Sequence, residues 1–409
     1  MANVKPFQPY RYSAKAGDPS KLITQPYDKI NSQMQARYLT ASPYNLVRVI
    51  LGEKRDSDSA SDNVYTRAAR YFEDWIHEGI LAQDPAPGFY AYFQNFEVPD
   101  TGERLTRKGF IGLGEVEDYS AGVVFRHEQT LSGPKKDRLE VLRHTRAHFG
   151  QIFMLYPDRE GSVDKELDQA TQGAPLLDVT DEYGARHRLW AVTDPARLAR
   201  IQTLMQPMKL LIADGHHRYE TALNYRNEHP DDPAAQYVMM TFVNMYSPGL
   251  KILATHRVLR NLQNLELLSK VTSEWSVKKF ISLTELKQAL NSPAPQSVRI
   301  GAVAANDTLL LSRPRKDGEL DVPVLHQEIL GDWLGIGEDA VREEKYIQYV
   351  RGMDAAAAEV RERGAQVAFL LDPTPIDDMA RVAFAGGVMP QKSTDFYPKL
   401  LTGVTIYRL

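Results

Sequence analysis

Two segments with different residue patterns meet in the stretch Lys209-Leu210-Leu211-Ile212-Ala213-Asp214-Gly215-His216-His217-Arg218-Tyr219-Glu220. Residues 208–213 form a short apolar run, which is typical of a buried strand. Residues 219–228 are good helix formers, and Gly215 permits a tight reversal or a close approach by a ligand. The pattern predicts a strand at 208–213, a turn at 214–218 and a helix at 219–228.

The predicted turn carries side chains that suit an anion site. It lies at a helix N-terminus, where backbone N–H groups and the helix dipole favour negative charge. His216, His217 and Arg218 add side-chain donors, and Asp214 could hold Mg²⁺ beside a phosphate or accept a proton from a hydroxyl. The alternative is a simple helix cap at Asp214 with two surface histidines. Four chemically capable residues between a buried strand and a helix favour the functional interpretation.

The rest of the chain alternates between strand and helix patterns, which predicts a mixed α/β fold. Strand patterns occupy 44–51, 88–98, 106–117, 151–156, 252–259, 297–304, 307–313 and 366–371. Helical patterns occupy 65–80, 137–149, 194–206, 264–275, 283–291, 353–363 and 375–385. The pattern changes most clearly after Pro248-Gly249 and more weakly near residue 120. We therefore predict an N-terminal region 1–120 that contributes to the core, a core 121–248 with the turn, and a C-terminal α/β domain 249–409 with a closing loop 386–399.

Composition limits the classes of function. The 409 residues include 53 acids and 49 bases, which gives a net charge of −4. This balance argues against a general nucleic-acid or membrane-surface binder, because both need a basic excess. The absence of cysteine excludes disulfides, a thiolate nucleophile and thiolate-bound metals. There is no charged-then-apolar leader and no apolar run of about 18 residues, so we expect a cytoplasmic protein.

A second polar cluster begins at His127-Glu128-Gln129-Thr130 and continues with cations at Lys135, Lys136 and Arg138. An acid–base pair next to a group of cations is what a site for an anionic substrate needs. The alternative is a set of solvated loop charges.

A third cluster lies near the C-terminus, in Gly386-Gly387 and in the segment from Met389 to Lys399. Its glycines, hydroxyls and lysines can line a phosphate or a carboxylate. The spacing of a phosphate-binding P-loop is absent here and elsewhere in the chain. The alternative is a polar closing loop.

The whole chain resembles the prokaryotic family catalogued as domain of unknown function 1015. The matching stretches are Pro26-Tyr27-Asp28-Lys29-Ile30, Ser42-Pro43-Tyr44-Asn45-Leu46-Val47-Arg48, His127-Glu128-Gln129-Thr130, Ala213-Asp214-Gly215-His216-His217-Arg218-Tyr219-Glu220-Thr221-Ala222-Leu223 and Met389-Pro390-Gln391-Lys392-Ser393-Thr394. The family name carries no activity.

The Asp-Gly-His-His-Arg turn is also similar to the signature of the ParB/sulfiredoxin-like nucleotide-binding fold, which includes free-serine kinases, sulfiredoxins and ParB partition proteins. The resemblance implies such a core with an additional α/β domain. It implies phosphate contacts by Gly215, His216, His217 and Arg218, and a catalytic or Mg²⁺-binding role for Asp214. The sulfiredoxin cysteine is missing, and the acidic balance argues against DNA-reading helices like those of ParB.

The leading hypothesis is a nucleotide-dependent kinase acting on a small hydroxylated metabolite, with free L-serine as the best single candidate. ATP or ADP would be the donor, with Mg²⁺ as the metal. The remaining candidate residues are His127, Glu128 and Asp28 for catalysis, Lys135 and Arg138 for the nucleotide, and Asn45, Arg48, Lys392, Ser393 and Thr394 for the substrate. Expected partners are the nucleotide and a small-molecule substrate, without nucleic acid or membrane, and a homodimer is considered.

Two other classes of function stay open. In a metal-dependent hydrolase, the zinc or manganese ligands would be His127, Glu128, Asp214, His216 and His217. The His-Glu pair lacks the His-Glu-x-x-His spacing of a local zinc motif. In a non-catalytic nucleotide sensor, region 250–380 would bind a partner. For the kinase we expect His127, Glu128 and Lys392 within about 10 Å of the turn, the range over which charges still interact at ordinary ionic strength.

Overall fold

A computed structural model describes residues 1–99, 101–128, 133–263 and 270–409, and for residues 133–135 it describes the backbone only. The chain divides into two compact units. Unit 1 comprises Met1–Arg126, Thr130–Lys251 and Pro398–Leu409, and unit 2 comprises His127–Gln129 and Ile252–Tyr397. The three-region division expected from the sequence stays a prediction.

The secondary structure is mixed α/β, which confirms the predicted fold class. The strands are β1 (Val4–Lys5), β2 (Tyr10–Tyr12), β3 (Leu81–Gln83), β4 (Phe89–Glu97), β5 (Arg104–Glu115), β6 (Val124–Phe125), β7 (Ala147–His148), β8 (Ile152–Tyr156), β9 (Leu177–Thr180), β10 (Arg186–Val192), β11 (Leu210–Asp214), β12 (Tyr237–Asn244), β13 (Lys251–Leu253), β14 (Thr255–Leu259), β15 (Ser276–Lys279), β16 (Ser297–Ala304), β17 (Thr308–Pro314), β18 (Ile347–Arg351), β19 (Val367–Leu370), β20 (Asp395–Tyr397) and β21 (Tyr407–Arg408).

The helices are α1 (Ser32–Ala41), α2 (Val47–Ile50), α3 (Val64–His77), α4 (Gly133–Thr145), α5 (Ser162–Ala170), α6 (Pro195–Met205), α7 (His216–Glu228), α8 (Leu283–Asn291), α9 (Asp321–Val324), α10 (Glu338–Arg342), α11 (Met353–Arg361) and α12 (Ile376–Phe384). Short 3-10 helices cover Ala14–Ala16, Pro19–Lys21, Tyr27–Lys29 and Tyr119–Ala121, and a π-helix covers Leu325–Trp333.

A nine-stranded mixed sheet forms the centre of unit 1, in the order β6-β11-β8-β12-β5-β4-β10-β9, with β1 paired to β5. Strand β11 runs parallel to β6 and antiparallel to β8, and β12 runs parallel to β8. Two small ribbons, β2-β3 and β7-β21, complete the unit. The second ribbon joins the last residues of the chain to the segment that precedes β8.

The two faces of this sheet differ in chemistry. One face is apolar, and it buries Met154, Ile212 and Met240 in a core shared with Tyr219 of α7. On the other face Asp214, Phe153 and Thr241 form one row, because Phe153 is the register partner of both other residues. Directly opposed residues of neighbouring strands share a face. Asp214 therefore projects from the face opposite to the main core.

Unit 2 is built on a six-stranded sheet in the order β15-β17-β16-β19-β14-β18. The strand pairs of this sheet are antiparallel. Apolar side chains fill both faces, in a core around Trp275 and Trp333 and in a second core around Leu286 and Val360.

Most of the elements expected from the sequence are confirmed. The paired strands at 88–98 and 106–117 are β4 and β5, and the helical pattern at 65–80 is α3. The pattern 208–228 is β11 followed by α7, although α7 begins at His216 rather than at residue 219. Residues 264–269 of the helix predicted at 264–275 lie outside the described residues, and the prediction is wrong for residues 270–275, which are not α-helical.

The strand predicted at 44–51 is wrong, because this segment contains helix α2. Asn45 Oδ1 accepts the N–H of Val47 at 2.9 Å, which starts a helical turn whose apolar side chains are buried. The β-branched residues had suggested a strand, but a short buried helix uses them equally well. Strands β9, β10 and β18 and the π-helix were not predicted.

Candidate functional site

Asp214 and Gly215 join β11 to α7 without an intervening loop. Asp214 is the last residue of the strand, and Gly215 is the N-cap of the helix with φ +96°. Asp214 Oδ1 accepts the N–H of Gly215 at 2.9 Å. The first turn of α7 therefore begins directly beside this carboxylate, and its N–H groups have no partner within the helix.

Gly215 is required for two independent reasons. Its positive φ lies in the region that favours glycine. In addition, a Cβ at this position would lie 3.0 Å from both Nε and Nη2 of Arg218, since the guanidinium folds back over the glycine. Arg218 Nη1 also donates to the carbonyl of Gln151 at 2.5 Å. The glycine thus permits the close approach of a cation to the helix N-terminus.

Asp214 lies between two cationic side chains. Its Oδ2 is 3.4 Å from Nζ of Lys399 and 3.9 Å from Nη2 of Arg218. The exposed fractions of the three side chains are 24% for Asp214, 11% for Lys399 and 15% for Arg218. Such partly buried charges interact more strongly than a surface ion pair. In these two contacts the Asp214 carboxylate is shared by two cations at the helix N-terminus.

A third cation, Arg107 of β5, lies on the same face of the sheet. Its guanidinium is 4.6 Å from the ring centre of Phe153, and it donates to Gln94 and to the carbonyl of Pro398. Burial lowers the pKa of Arg107 to about 9, while the nearby Tyr92 and Asp214 act in the opposite direction. Arg107 therefore anchors the C-terminal segment that carries Lys399.

Gln151 and Thr241 are polar side chains buried on this face. Each is 1% exposed. Neither the amide atoms of Gln151 nor Oγ1 of Thr241 has a hydrogen-bond partner within the described part of the chain. Buried polar groups normally have a hydrogen-bond partner, so a ligand or an ordered water would supply the hydrogen bonds of these side chains.

Arg218 also lines a partly open cavity in unit 1, with about 70 Å³ of space for the centres of water-sized molecules. The lining includes Tyr27, Arg138, Val141 and His148. Arg138 lies 4.2 Å from the ring centre of Tyr27 and donates to the carbonyl of Ile50. Burial, and then the charge of Asp28, raise the pKa of Tyr27 to about 12. The cavity is mostly apolar, with two guanidinium groups among its walls.

The two histidines of the turn differ in exposure. His216 is 8% exposed and His217 is half-buried, and Thr221 donates to the carbonyl of His217 at 2.8 Å. The interpretation of both as surface histidines is wrong for His216.

Several candidates in the N-terminal half have local contacts. Asn45 is fully buried, and its amide donates to the carbonyl of Lys21 while its side-chain oxygen accepts the N–H of Val47. Arg48 donates to the carbonyl of Leu39, and Asp28 is exposed beside Tyr27. The backbone of Lys135 lies in α4, and its side chain is outside the described residues. The proposed ligand roles of these residues stay predictions.

In unit 2, His127 lies against the loop between α12 and β20. His127 is fully buried, its Nε2 is 2.8 Å from Oγ1 of Thr394, and its carbonyl accepts the N–H of Met389. Glu128 forms a parallel bridge with Met389. Two clusters that the sequence singled out separately therefore lie side by side.

Lys392 and Ser393 of this loop take part in hydrogen bonds that involve backbone carbonyl groups. Lys392 has φ +57°, and its carbonyl accepts from Arg257 at 3.1 Å. The hydroxyl of Ser393 donates to the carbonyl of Pro390 at 2.6 Å. The turn at 214–218 belongs to unit 1, so the expected 10 Å convergence stays a prediction.

Lys399, Arg107 and Gln151 were missed as site residues. Lys399 had been noted only as one of the lysines near the C-terminus, and its contact with Asp214 depends on the tertiary fold. The sequence around Arg107 indicates only a strand. The sequence around Gln151 gives no indication of a site residue.

Among the described residues there is no group of three or more His, Asp or Glu side chains that could hold a metal ion. At the turn, one carboxylate is available for Mg²⁺. This ion is commonly held by one or two carboxylates together with substrate phosphates, so Asp214 fits a single-ligand role. The described part of the chain contains no helix long and apolar enough to span a membrane.

A family model described as "Protein of unknown function (DUF1015)" matches residues 4–330. The chain belongs to this family. No curated protein matches this DUF1015 sequence.

Solved structures similar to this DUF1015 protein have low identity. A free serine kinase in complex with AMP has 11% identity and a TM-score of 0.38, covering 67% of this chain and 83% of its own. SbnI with a C-terminal truncation, from Staphylococcus aureus, has 9% identity and a TM-score of 0.36. The match covers 71% of this chain and 85% of the SbnI chain. A conserved hypothetical protein from Pyrococcus furiosus has 12% identity and a TM-score of 0.36. The match covers 67% of this chain and 87% of the Pyrococcus protein. At identities and TM-scores this low, the activity of these proteins cannot be assigned to the DUF1015 chain.

Proposed function

We propose that unit 1 binds a nucleotide whose phosphates lie at the N-terminus of α7, and that the protein transfers a phosphoryl group to a small hydroxylated metabolite. Free L-serine is the first acceptor to test, because the 214–218 turn resembles that of free-serine kinases. The observation that carries the proposal is the pair of cations, Arg218 and Lys399, held against Asp214 at the start of a 13-residue helix.

The charge balance supports an anionic ligand. Asp214 contacts two cationic side chains, and the helix N-terminus adds partial positive charge. All three side chains are at least three-quarters buried, so solvent screens them less than surface charges. A guanidinium such as that of Arg218 can bind a phosphate through two parallel N–H bonds.

The adjoining cavity supports a nucleotide rather than free phosphate. Its mostly apolar walls, with a few polar groups among them, are typical of a site for a small organic molecule. Arg218 belongs both to the turn and to the cavity lining. A single ligand could therefore place phosphates at the turn and an organic moiety in the cavity.

In the proposed reaction the acceptor hydroxyl oxygen attacks the terminal phosphorus of the donor. The bond from this phosphorus to the leaving phosphate oxygen breaks, and the hydroxyl proton passes to a carboxylate. We assign this proton to Asp28, which adjoins Tyr27 of the cavity lining, with Glu128 as the alternative. Arg218 and Lys399 would stabilise charge on the phosphoryl oxygens, which is the main requirement of phosphoryl transfer.

The remaining roles are proposals of the same kind. Asp214 would position both cations and act as the protein ligand of Mg²⁺, which when bound neutralises phosphate charge. His127, Lys392, Ser393 and Thr394 would contribute to the acceptor site. ATP or ADP is the proposed donor.

The test measures O-phosphoserine by mass spectrometry after incubation with L-serine and ATP, ADP, CTP or GTP, with and without Mg²⁺. L-Alanine, which lacks the hydroxyl, is the control acceptor. Nucleotide-dependent O-phosphoserine supports the kinase. Nucleotide consumption at the same rate with both amino acids would contradict serine as acceptor, and the absence of any melting-temperature shift with all four nucleotides would overturn the nucleotide site.

A second candidate is a nucleotide sensor without turnover. It is favoured by the contacts of Asp214 with two cations, since holding these cations beside the helix N-terminus would serve ligand binding without a transfer step. Nucleotide binding with no product from any hydroxylated acceptor would favour the sensor.

A further inference from the structure

His148 occupies a defined position in the wall of the cavity in unit 1. It lies in β7, where its register partner is Tyr407 of β21. The two rings are stacked with an angle of 7° between their planes and 6.1 Å between their centres. The hydroxyl of Tyr407 donates to the carbonyl of Ala234 at 3.1 Å. The plane of the imidazole is therefore fixed by a partner that is itself anchored.

His148 is uncharged at neutral pH and can form hydrogen bonds with an uncharged group of a ligand. Burial lowers the pKa of His148 to about 4. At neutral pH the ring is uncharged and presents one N–H donor and one nitrogen acceptor. A charged imidazolium would present two donors and no acceptor. The neutral form can exchange hydrogen bonds with a group that carries a donor and an acceptor.

The other walls suit a flat, largely apolar ring. Ile50, Val141 and Phe149 supply apolar surface, and Tyr27 supplies an aromatic ring. Arg218 connects the cavity to the positively charged start of α7. A nucleobase has a flat apolar face and a polar edge with donors and acceptors, and its nucleotide carries the phosphates that Arg218 would bind.

We infer that the cavity holds the nucleobase of the bound nucleotide and that His148 is the specificity-determining residue that hydrogen-bonds to the polar edge of the base. The inference rests on the proposed nucleotide site at the turn. In this arrangement the turn binds the phosphates of every nucleotide equally, and His148 distinguishes the bases.

The experiment separates the base from the phosphates by using inorganic tripolyphosphate as a ligand without a base. Dissociation constants for tripolyphosphate, ATP, GTP, CTP and UTP are measured by calorimetry with the full-length protein and with His148→Ala. For the preferred nucleotide we expect affinity to fall by about tenfold in the variant, the order expected for one lost hydrogen bond and its ring contact. The differences between nucleotides should become smaller, and tripolyphosphate affinity should not change.

His144→Ala is the matched control. His144 is also stacked on a tyrosine, Tyr65, with ring centres 5.7 Å apart, but it is exposed and does not line the cavity. The control should bind all five ligands as the unchanged protein does.

The possible results separate the two claims. If tripolyphosphate binds as tightly as each nucleotide to the unchanged protein, the base subsite is wrong while the phosphate site stands. The same conclusion holds if His148→Ala keeps the full ranking of nucleotides. If none of the five ligands binds, the proposed function fails and the inference fails with it. A parallel loss of tripolyphosphate and nucleotide affinity in His148→Ala would show a general structural role and would also overturn the inference.

Discussion

Nζ of Lys399 lies 3.4 Å from Oδ2 of Asp214, and this contact joins the C-terminal segment of unit 1 to the end of β11. Neighbouring contacts hold the segment in place, since the carbonyl of Pro398 accepts from Arg107 and the carbonyl of Lys399 accepts from Gln94. The lysine is thus fixed through its backbone as well as its ammonium group. We infer that the segment supplies a positioned cation to the site.

Lys399→Met tests the role of this cation. Methionine keeps most of the apolar stem and removes the charge, so Asp214 would keep only the longer contact with Arg218. We expect nucleotide affinity to fall by about tenfold or more, because charge-assisted bonds to phosphate contribute about 1.5–3 kcal/mol. Calorimetric titration with ATP measures this effect. Lys165→Met, at a lysine of α5, is the control, and an unchanged affinity in Lys399→Met would remove Lys399 from the site.

Gly215→Ala tests the close approach of Arg218. The substitution combines a strained φ of +96° with a Cβ only 3.0 Å from the guanidinium. We expect a loss of unfolding free energy of about 1–3 kcal/mol from backbone strain, together with a loss of nucleotide binding as Arg218 is displaced.

Gly17→Ala separates the two effects. Gly17 has φ +90°, and nothing lies within 4 Å of the position a Cβ would occupy. It should show the loss of stability measured by chemical denaturation but keep nucleotide binding. Equal binding by both variants would contradict a special role for the contact between Gly215 and Arg218.

The sequence predicted the strand, the glycine and the helix of the candidate site because these depend on neighbouring residues. An apolar run, a residue that adopts positive φ and a series of helix formers are all local signals. The contact between Lys399 and Asp214 has no such signal, since it arises only when the C-terminal segment folds back onto the sheet. Long-range ion pairs of this kind cannot be read from spacing.

The error at 44–51 has a different physical cause. The apolar residues of this segment are buried, but Asn45 Oδ1 accepts the N–H of Val47, the first residue of α2, in a local turn that leads into the helix. The apolar pattern alone therefore did not decide the backbone conformation. An asparagine before a short apolar run was the available signal for the helix.

The acid dependence of stability should report on His148. Its pKa in the folded protein is about 4, below the ordinary value of 6.5, so the unfolded chain binds more protons between these two pH values. The contribution of His148 is therefore fully present above pH 6.5 and is lost as pH falls towards 4. As pH is lowered from 6.5 towards 4, the melting temperature of His148→Gln should fall less than that of the unchanged protein. His144→Gln serves as the control, and identical slopes for the unchanged protein and His148→Gln would contradict the prediction.

Asp214→Asn tests the central residue of the site. Asparagine keeps the shape and can still accept the N–H of Gly215, so the start of α7 should persist. It loses the charge that positions Lys399 and Arg218 and that would hold Mg²⁺. We expect the rate of nucleotide turnover with L-serine to fall by about 10²-fold or more, the scale usual for a lost acid–base or electrostatic group, with a small change in melting temperature.

The matched control for this variant is Asp74→Asn, at an exposed carboxylate of α3. It should change neither rate nor melting temperature. If Asp214 only supports the start of the helix, Asp214→Asn should keep nearly full activity, because the amide oxygen replaces the carboxylate in that contact. Full activity with an unchanged melting curve would thus remove Asp214 from the mechanism, and phosphoryl transfer at this turn would lose its main support. A lower rate combined with unchanged tripolyphosphate affinity would instead place the effect of Asp214 on the transfer step, because binding of the phosphates alone would be intact.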